Sequence, residues 1–367
     1  MYDRPADDPT PGVVESVRQG MRLFMRAHHN REELALQRRR LLQTMLGATG
    51  LYMTDAMISA TSAQATTQEA TAGSGEALAT LTRTLHEICI AHMAGAPVVR
   101  SQERALSCWR DALAAKVNVT GPRFLRAAEM EAKAACLVAQ FHGDLGQDDL
   151  AVRWYARALA VAPISDQRAW IHSCSAWVPM FNGNGEGVVR AAQKALEFAT
   201  ISNPMQEAFA FNQLARGHAI RGDHDRALEA LISADKSFHR YGYYGKNTSP
   251  SLDGFSRWQH AAYAANTYSM LGDVHHARAN LAVMAEAPFV SGINHMLHKT
   301  SEAVCLVHEG EPDGAVEMVQ QCIDSLDPED AATQPVRGRA QMFVDQMPTN
   351  LRKARAVRDF REYLAAA

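Results

Sequence analysis

The chain has 367 residues, 47% of them hydrophobic, 21% charged and only 7% aromatic. Its formal net charge of −3 offers no general attraction for nucleic acid or an anionic membrane, and no apolar run is long enough to span a bilayer. A low aromatic share beside abundant alanine favours helices over sheets.

Residues 1–58 read as a basic N-terminal helical arm. Met1 to Pro11 is acidic and proline-rich, the composition of a disordered tip. From Gly12 to about Ala27, Val13, Val14, Val17, Met21, Phe24 and Met25 fall near one helical face, with Arg18, Arg22 and Arg26 on the other. A second helix is expected from Asn30 into the forties. It contains Arg38-Arg39-Arg40-Leu41-Leu42-Gln43, which resembles a twin-arginine export signal, and Ala63-Gln64-Ala65 would suit a cleavage site. Asp55 interrupts the uncharged stretch between them, and 37 residues precede the arginines. An amphipathic helix with solvated arginines is therefore the competing reading.

Residues 59–76 (SATSAQATTQEATAGSGE) have no hydrophobic period and read as a flexible linker. Residues 77–367 then form a long helical body. Helices are expected near 77–94, 98–116 and 122–142, punctuated by Gly95-Ala96-Pro97 and Thr120-Gly121-Pro122.

Between about Glu131 and Asp324 one pattern recurs five times. Gly146, Gly183, Gly222, Gly272 and Gly310 are spaced by 37, 39, 50 and 38 residues, the length of a helix–turn–helix unit. Seven positions before each glycine stands an alanine: Ala139, Ala176, Ala215, Ala265 and Ala303. Five positions after stand Ala151, Val188, Ala227, Ala277 and Ala315, and twelve after stand Ala158, Ala195, Ala234, Met284 and Cys322. Glycine stops one helix, and small residues let two helices approach closely.

These residues resemble tetratricopeptide (TPR) repeats. The copy with most of the pattern runs Val138-Ala139, Leu145-Gly146, Ala151, Tyr155, Ala158 and Pro163. Others run Leu214-Ala215 to Ala234 and Ala264-Ala265 to Leu281, while those at Gly183 and Gly310 are degenerate. No copy has the family's tryptophan in its usual place. The resemblance implies an all-α, TPR-like helical-hairpin solenoid (a right-handed superhelix). The 50-residue spacing contains an insertion around Arg240 to Gly254, with three tyrosines and Pro250. Such a loop serves as a lid, a homodimer contact or a plain length variant. After the polar break Asp327–Gln334, helices near 335–346 and 349–365 would cap the body, with Arg352, Lys353, Arg355, Arg358 and Arg361 exposed.

No catalytic or metal constellation stands out. His86 and His92 are six apart, out of phase for ligands on one helical face. His142 and His218 each precede a repeat glycine by four and read as packing against the turn. There is no phosphate loop, nucleophile elbow or dinucleotide fingerprint, and the carboxylates read as solvated. Cys89, Cys108, Cys136, Cys174, Cys305 and Cys322 form no C-x-x-C pair and read as buried free thiols. The expectation is a non-enzymatic protein without cofactor or metal.

In a stacked array the first helix of each repeat lines the concave face. Counting from the repeat frame, that face carries Lys133, Gln140, Trp170, Trp177, Phe209, Asn212, Arg216, Gln259, Asn266 and Ser269. Of these, Gln140, Trp170, Trp177, Asn212, Arg216, Gln259 and Asn266 are the candidate ligand-binding residues. Amides offer paired donors and acceptors to a peptide backbone, tryptophans offer apolar anchors, and Arg216 could receive a carboxylate. A core role for the tryptophans and plain solvation of the amides is the alternative.

The whole resembles the sensor half of bacterial TPR regulators, peptide-responsive or actinobacterial, which often carry an arginine-rich stretch ahead of the array. The residues before Arg38 hold no complete helix-turn-helix. In that family concave amides hold a signalling peptide, which by resemblance implicates Asn212 and Asn266. The expected function is cytoplasmic regulation through a peptide, protein segment or small signal. The alternatives are an exported TPR adaptor and a DNA-binding regulator acting through the arm from Arg18 to Arg40.

Overall fold

The computed structural model describes residues 70–117, 119–200, 203–240, 255–286 and 292–366. The chain divides into two units, Met1–Ala65 and Thr66–Ala367, and every described residue lies in the second. The expected arm helices, Arg38–Gln43, the linker up to residue 69 and the insertion from Tyr241 to Gly254 lie outside the described residues.

Every regular element among the described residues is helical, and none is a strand. In chain order they are α1 (Ala70–Met93), α2 (Val98–Val117), α3 (Gly121–Asp144), α4 (Asp148–Val161), α5 (Ser165–Ser175), the short α6 (Trp177–Phe181) and α7 (Gly185–Phe198). There follow α8 (Pro204–Ile220), α9 (His224–Arg240), α10 (Arg257–Met270), α11 (Val274–Ala285), α12 (Gly292–Glu309) and α13 (Pro312–Asp324). The chain ends with the single turn α14 (Pro328–Ala331), α15 (Gln334–Gln346), a 3₁₀ turn at Leu351–Lys353 and α16 (Arg355–Ala366). Helix α1 starts at Ala70, inside the stretch that reads as linker. Alanine is the best helix former, and the apolar spacing that begins at Leu78 propagates backwards through it.

The five repeat glycines all close helical hairpins in one way. Their φ angles are 70°, 66°, 75°, 76° and 90° at Gly146, Gly183, Gly222, Gly272 and Gly310, the left-handed region that excludes most other residues. The residue after each glycine donates its N–H to the carbonyl five positions back. These bonds are Gln147 to His142 (2.8 Å), Asn184 to Pro179 (2.8 Å), Asp223 to His218 (2.9 Å), Asp273 to Tyr268 (3.0 Å) and Glu311 to Leu306 (2.9 Å). This bond satisfies a carbonyl that the helix end would leave unpaired. At Gly272 the next residue also starts the following helix, as Asp273 Oδ1 accepts from the His276 N–H at 3.1 Å.

The small residues mark the helix crossings. All fifteen positions seven before, five after and twelve after the glycines are buried, none more than 4% exposed. Within the hairpins α3 packs on α4, α8 on α9, α10 on α11 and α12 on α13. The first helices also pack on one another in a row, α3 on α5, α5 on α8, α8 on α10 and α10 on α12.

Helix α15 continues this row by packing on α12, and it also meets α6 and α3. Val336, Ala340, Phe343 and Val344 join a core with Val304, Val307, Val319 and Phe360. Toward α6 the backbones are close. A Cβ built on Gly338 would stand 2.5 Å from the Phe181 carbonyl oxygen, so only glycine fits there. At the start of α15, Gln334 Nε2 donates to Asn182 Oδ1 at 3.2 Å. Arg352 is half-buried, unlike the exposed arginines Arg355, Arg358 and Arg361, because its Nε donates to the Met347 carbonyl at 2.8 Å.

Candidate functional site

Helix phase places Asn212 and Arg216 one turn apart on α8 and Asn266 on α10, and the packing of α8 on α10 brings them together. Arg216 Nε donates to Asn266 Oδ1 at 3.3 Å, and its Nη1 donates to Gln213 Oε1 at 3.2 Å. The guanidinium carbon stands 4.5 Å from the centre of the Tyr263 ring, where the ring face attracts a cation. Trp177, from α6, donates through Nε1 to the Tyr263 hydroxyl at 3.2 Å and leans on Phe209. Three helices thus meet at one polar cluster.

These groups are not a solvated groove surface. Asn212 is 0%, Arg216 1% and Asn266 7% exposed. The sequence phase puts them on the face that first helices share, and α15 lies close by. Arg339 of α15 and Asn266 line one small cavity, with Thr300, Val304, Met342, Phe343 and Gln346. The remaining expected site residues are placed otherwise. Trp170 is buried in the main apolar core. Gln259 is half-buried and completes a capping box at the start of α10, where its Oε1 accepts from the Ser256 N–H at 2.9 Å. Gln140 is half-buried. Asn212 donates to the Ala208 carbonyl at 2.8 Å and lies 3.0 Å from His260 Nδ1.

Several members of the cluster carry no signal in the sequence. Arg339 is 9% exposed, and its guanidinium carbon lies 5.3 Å from the centre of the Phe181 ring. Burial, and then the nearby Arg216 charge, bring its pKa down to about 9, while burial brings Arg216 down to about 10. Asp144, at the end of α3, is buried and not solvated as the sequence suggests. Burial pushes its carboxyl up to about 8 against the opposing pull of Arg339. His92 Nε2 lies 3.5 Å from Asp144 Oδ2, and burial takes the imidazole down to about 4. Burial thus favours the neutral form of both groups. Among the described residues Glu131 is the other buried carboxylate, and it accepts from Lys116 Nζ at 2.5 Å.

The cluster is incompletely satisfied. Arg216 Nη2, Arg339 Nε, Asn212 Oδ1, Asp144 Oδ2 and His92 Nδ1 are buried without a hydrogen-bond partner, although native interiors pair nearly all such groups. His142 and His218 sit at their turns, His142 Nδ1 2.5 Å from Gln147 Oε1 and His218 Nδ1 3.4 Å from Asp223 Oδ2. Among the described residues no three metal-ligating side chains converge, and no helix is long and apolar enough to cross a membrane. Compared with known proteins, the chain matches no family model, no curated protein and no solved structure.

Proposed function

We propose that residues 77–367 are a TPR-like helical-hairpin solenoid and that the protein is a non-enzymatic regulatory or interaction protein. Its first-helix face binds a peptide or protein segment. Five hairpin turns with one hydrogen-bond pattern, and fifteen buried crossing residues in one register, support the repeat architecture.

The observation that carries the binding reading is the helix that this face already accepts. Helix α15 packs on α3, α6 and α12, and Gly338 allows backbone contact with Phe181. Asn266 lines one small cavity with Arg339 of this helix, and on the neighbouring α8 Asn212 Oδ1 and Arg216 Nη2 have unused hydrogen-bonding capacity. A partner segment that takes the place of α15 would meet Trp177, Tyr263, Asn266 and Arg216, an aromatic and polar set suited to a peptide.

The test is selection of a displayed library of random peptides on the full chain. Peptides that bind the parent, and bind Asn266→Ala at least ten-fold more weakly, are the expected result. Because Asn266→Ala also removes the acceptor of the buried Arg216 Nε, the variant should melt lower than the parent, and binding is compared at a temperature where both are folded. Enrichment of peptides that bind both proteins equally would place recognition off this face and refute the reading. Failure to enrich any peptide would refute it also.

A further inference from the structure

We propose that a trough between α12 and α13 is a binding site for a free α-amino acid with a large apolar side chain, held as its zwitterion. This goes beyond the peptide-binding reading and does not depend on it, since the trough shares no lining residue with the cavity beside Asn266.

The hairpin sets the walls. Helices α12 and α13 run antiparallel on either side of Gly310 and pack on each other. Lys299 and Gln321 each stand eleven positions from that glycine, and His295 and Ser325 each stand fifteen. Each pair therefore lies level across the trough. Glu317 is one turn nearer to Gly310 on the same face of α13 as Gln321. All five residues line the trough, and half-buried Met318 and buried Cys322 give it an apolar floor. Its volume is about 440 Å³, within the range of small-molecule sites.

Charge selects the class. Among the described residues, Lys299 is the one ammonium and Glu317 the one carboxylate of the lining. Each is paired along its own helix and not across the trough. Lys299 Nζ donates to Glu302 at 2.9 Å, and Glu317 accepts from Gln321 Nε2 at 2.9 Å. An ammonium has three donors and a carboxylate about four acceptor sites, so both keep capacity for a ligand. Burial, and then the Lys299 charge, lower the pKa of His295, which leaves that ring neutral at pH 7. A purely cationic ligand would face Lys299, and a purely anionic one would face Glu317. A zwitterion meets an opposite charge at each end. Its carboxylate accepts from Lys299 Nζ, and its ammonium donates to Glu317, which Gln321 already holds in place. The side chain then lies on Met318 and Cys322, and the volume left by so small a head group suits a large one.

Thermal melting of the full chain with leucine, methionine, phenylalanine and tryptophan, at matched ionic strength, tests the site. A ligand that binds only the folded state raises the melting temperature with its concentration, by about 2 °C or more once well above its dissociation constant. At least one of the four should do so, with a dissociation constant of about 1 mM or tighter. The N-acetyl derivative of that amino acid lacks the ammonium and its amide lacks the carboxylate, so neither should raise the melting temperature. Glu317→Gln should weaken binding at least ten-fold, as loss of a charge-assisted hydrogen bond does. Glu317 is exposed, so the variant without ligand should melt with the parent. No shift with any of the four amino acids would overturn the proposal. So would a shift that persists with the derivatives or in Glu317→Gln.

Discussion

Gly338→Ala should destabilise the protein although alanine is the better helix former. Gly338 lies within α15, where the exchange ordinarily gains about 1 kcal/mol. Here a Cβ would fall 2.5 Å from the Phe181 carbonyl oxygen and 3.1 Å from the Phe181 Cβ. The first figure is 0.9 Å inside the 3.4 Å limit of ordinary contact, and a backbone carbonyl cannot rotate away as a side chain can. Helix α15 must therefore lift from α6, or α6 must shift within its own core. Overpacking of this kind costs roughly 1–3 kcal/mol, and a rigid backbone neighbour puts it near the upper end. The net loss is then about 2 kcal/mol. Gly314, on α13, has nothing within 4 Å of an added Cβ, so Gly314→Ala should gain up to about 1 kcal/mol. Two chemically identical substitutions thus differ by about 3 kcal/mol. Urea unfolding checks this through the two midpoints at unchanged slope. A Gly338→Ala protein at least as stable as Gly314→Ala would show that α15 does not press on Phe181, and the proposal that α15 occupies a binding face would go with it.

Asp144→Asn should stabilise the protein increasingly from about pH 4 to pH 8. The folded carboxyl has a pKa of about 8, above its ordinary value, so its contribution is complete below the unfolded pKa and lost as pH rises through 8. Asparagine has no such loss, and the His92 contribution, which is lost toward pH 4, is present in both proteins. Asparagine that destabilises at pH 7 would show instead an ionised Asp144 paired with His92 or Arg339. Ala215→Leu and Ala227→Leu should each destabilise by roughly 1–3 kcal/mol, because both alanines are fully buried at a helix crossing; unchanged melting of both would break the repeat register. Native-state alkylation at pH 8 should be slow at Cys108, Cys305 and Cys322, whose thiols burial pushes up to about 11. Unfolding in urea should make all three react promptly, and fast reaction in the native state would contradict their burial.

Local chemistry was legible in the residues because it acts over a few positions. A glycine in the left-handed region ends a helix whatever surrounds it, so Gly146, Gly183, Gly222, Gly272 and Gly310 announce their turns. Alanine in phase with those turns marks where a second helix approaches, and Ala139, Ala176, Ala215, Ala265 and Ala303 are indeed fully buried. Helix period likewise assigns Asn212, Arg216 and Asn266 to one face. It does not say what covers that face. Helix α15 supplies Arg339 to the same cavity as Asn266 from 73 positions further along the chain. Contact over that separation leaves no periodic trace. The same holds for Gly338, which reads as an ordinary helix residue until Phe181 is brought against it, and for Asp144. Its sequence neighbours, Gly143 and Leu145, look like any helix end. Only the packing of α1 on α3 buries its carboxyl beside His92 and sets its charge. The residues determined helices, turns and register, since these are decided by backbone conformation and period. Solvent access and ionisation depend on distant parts of the chain, so tertiary structure alone decided them.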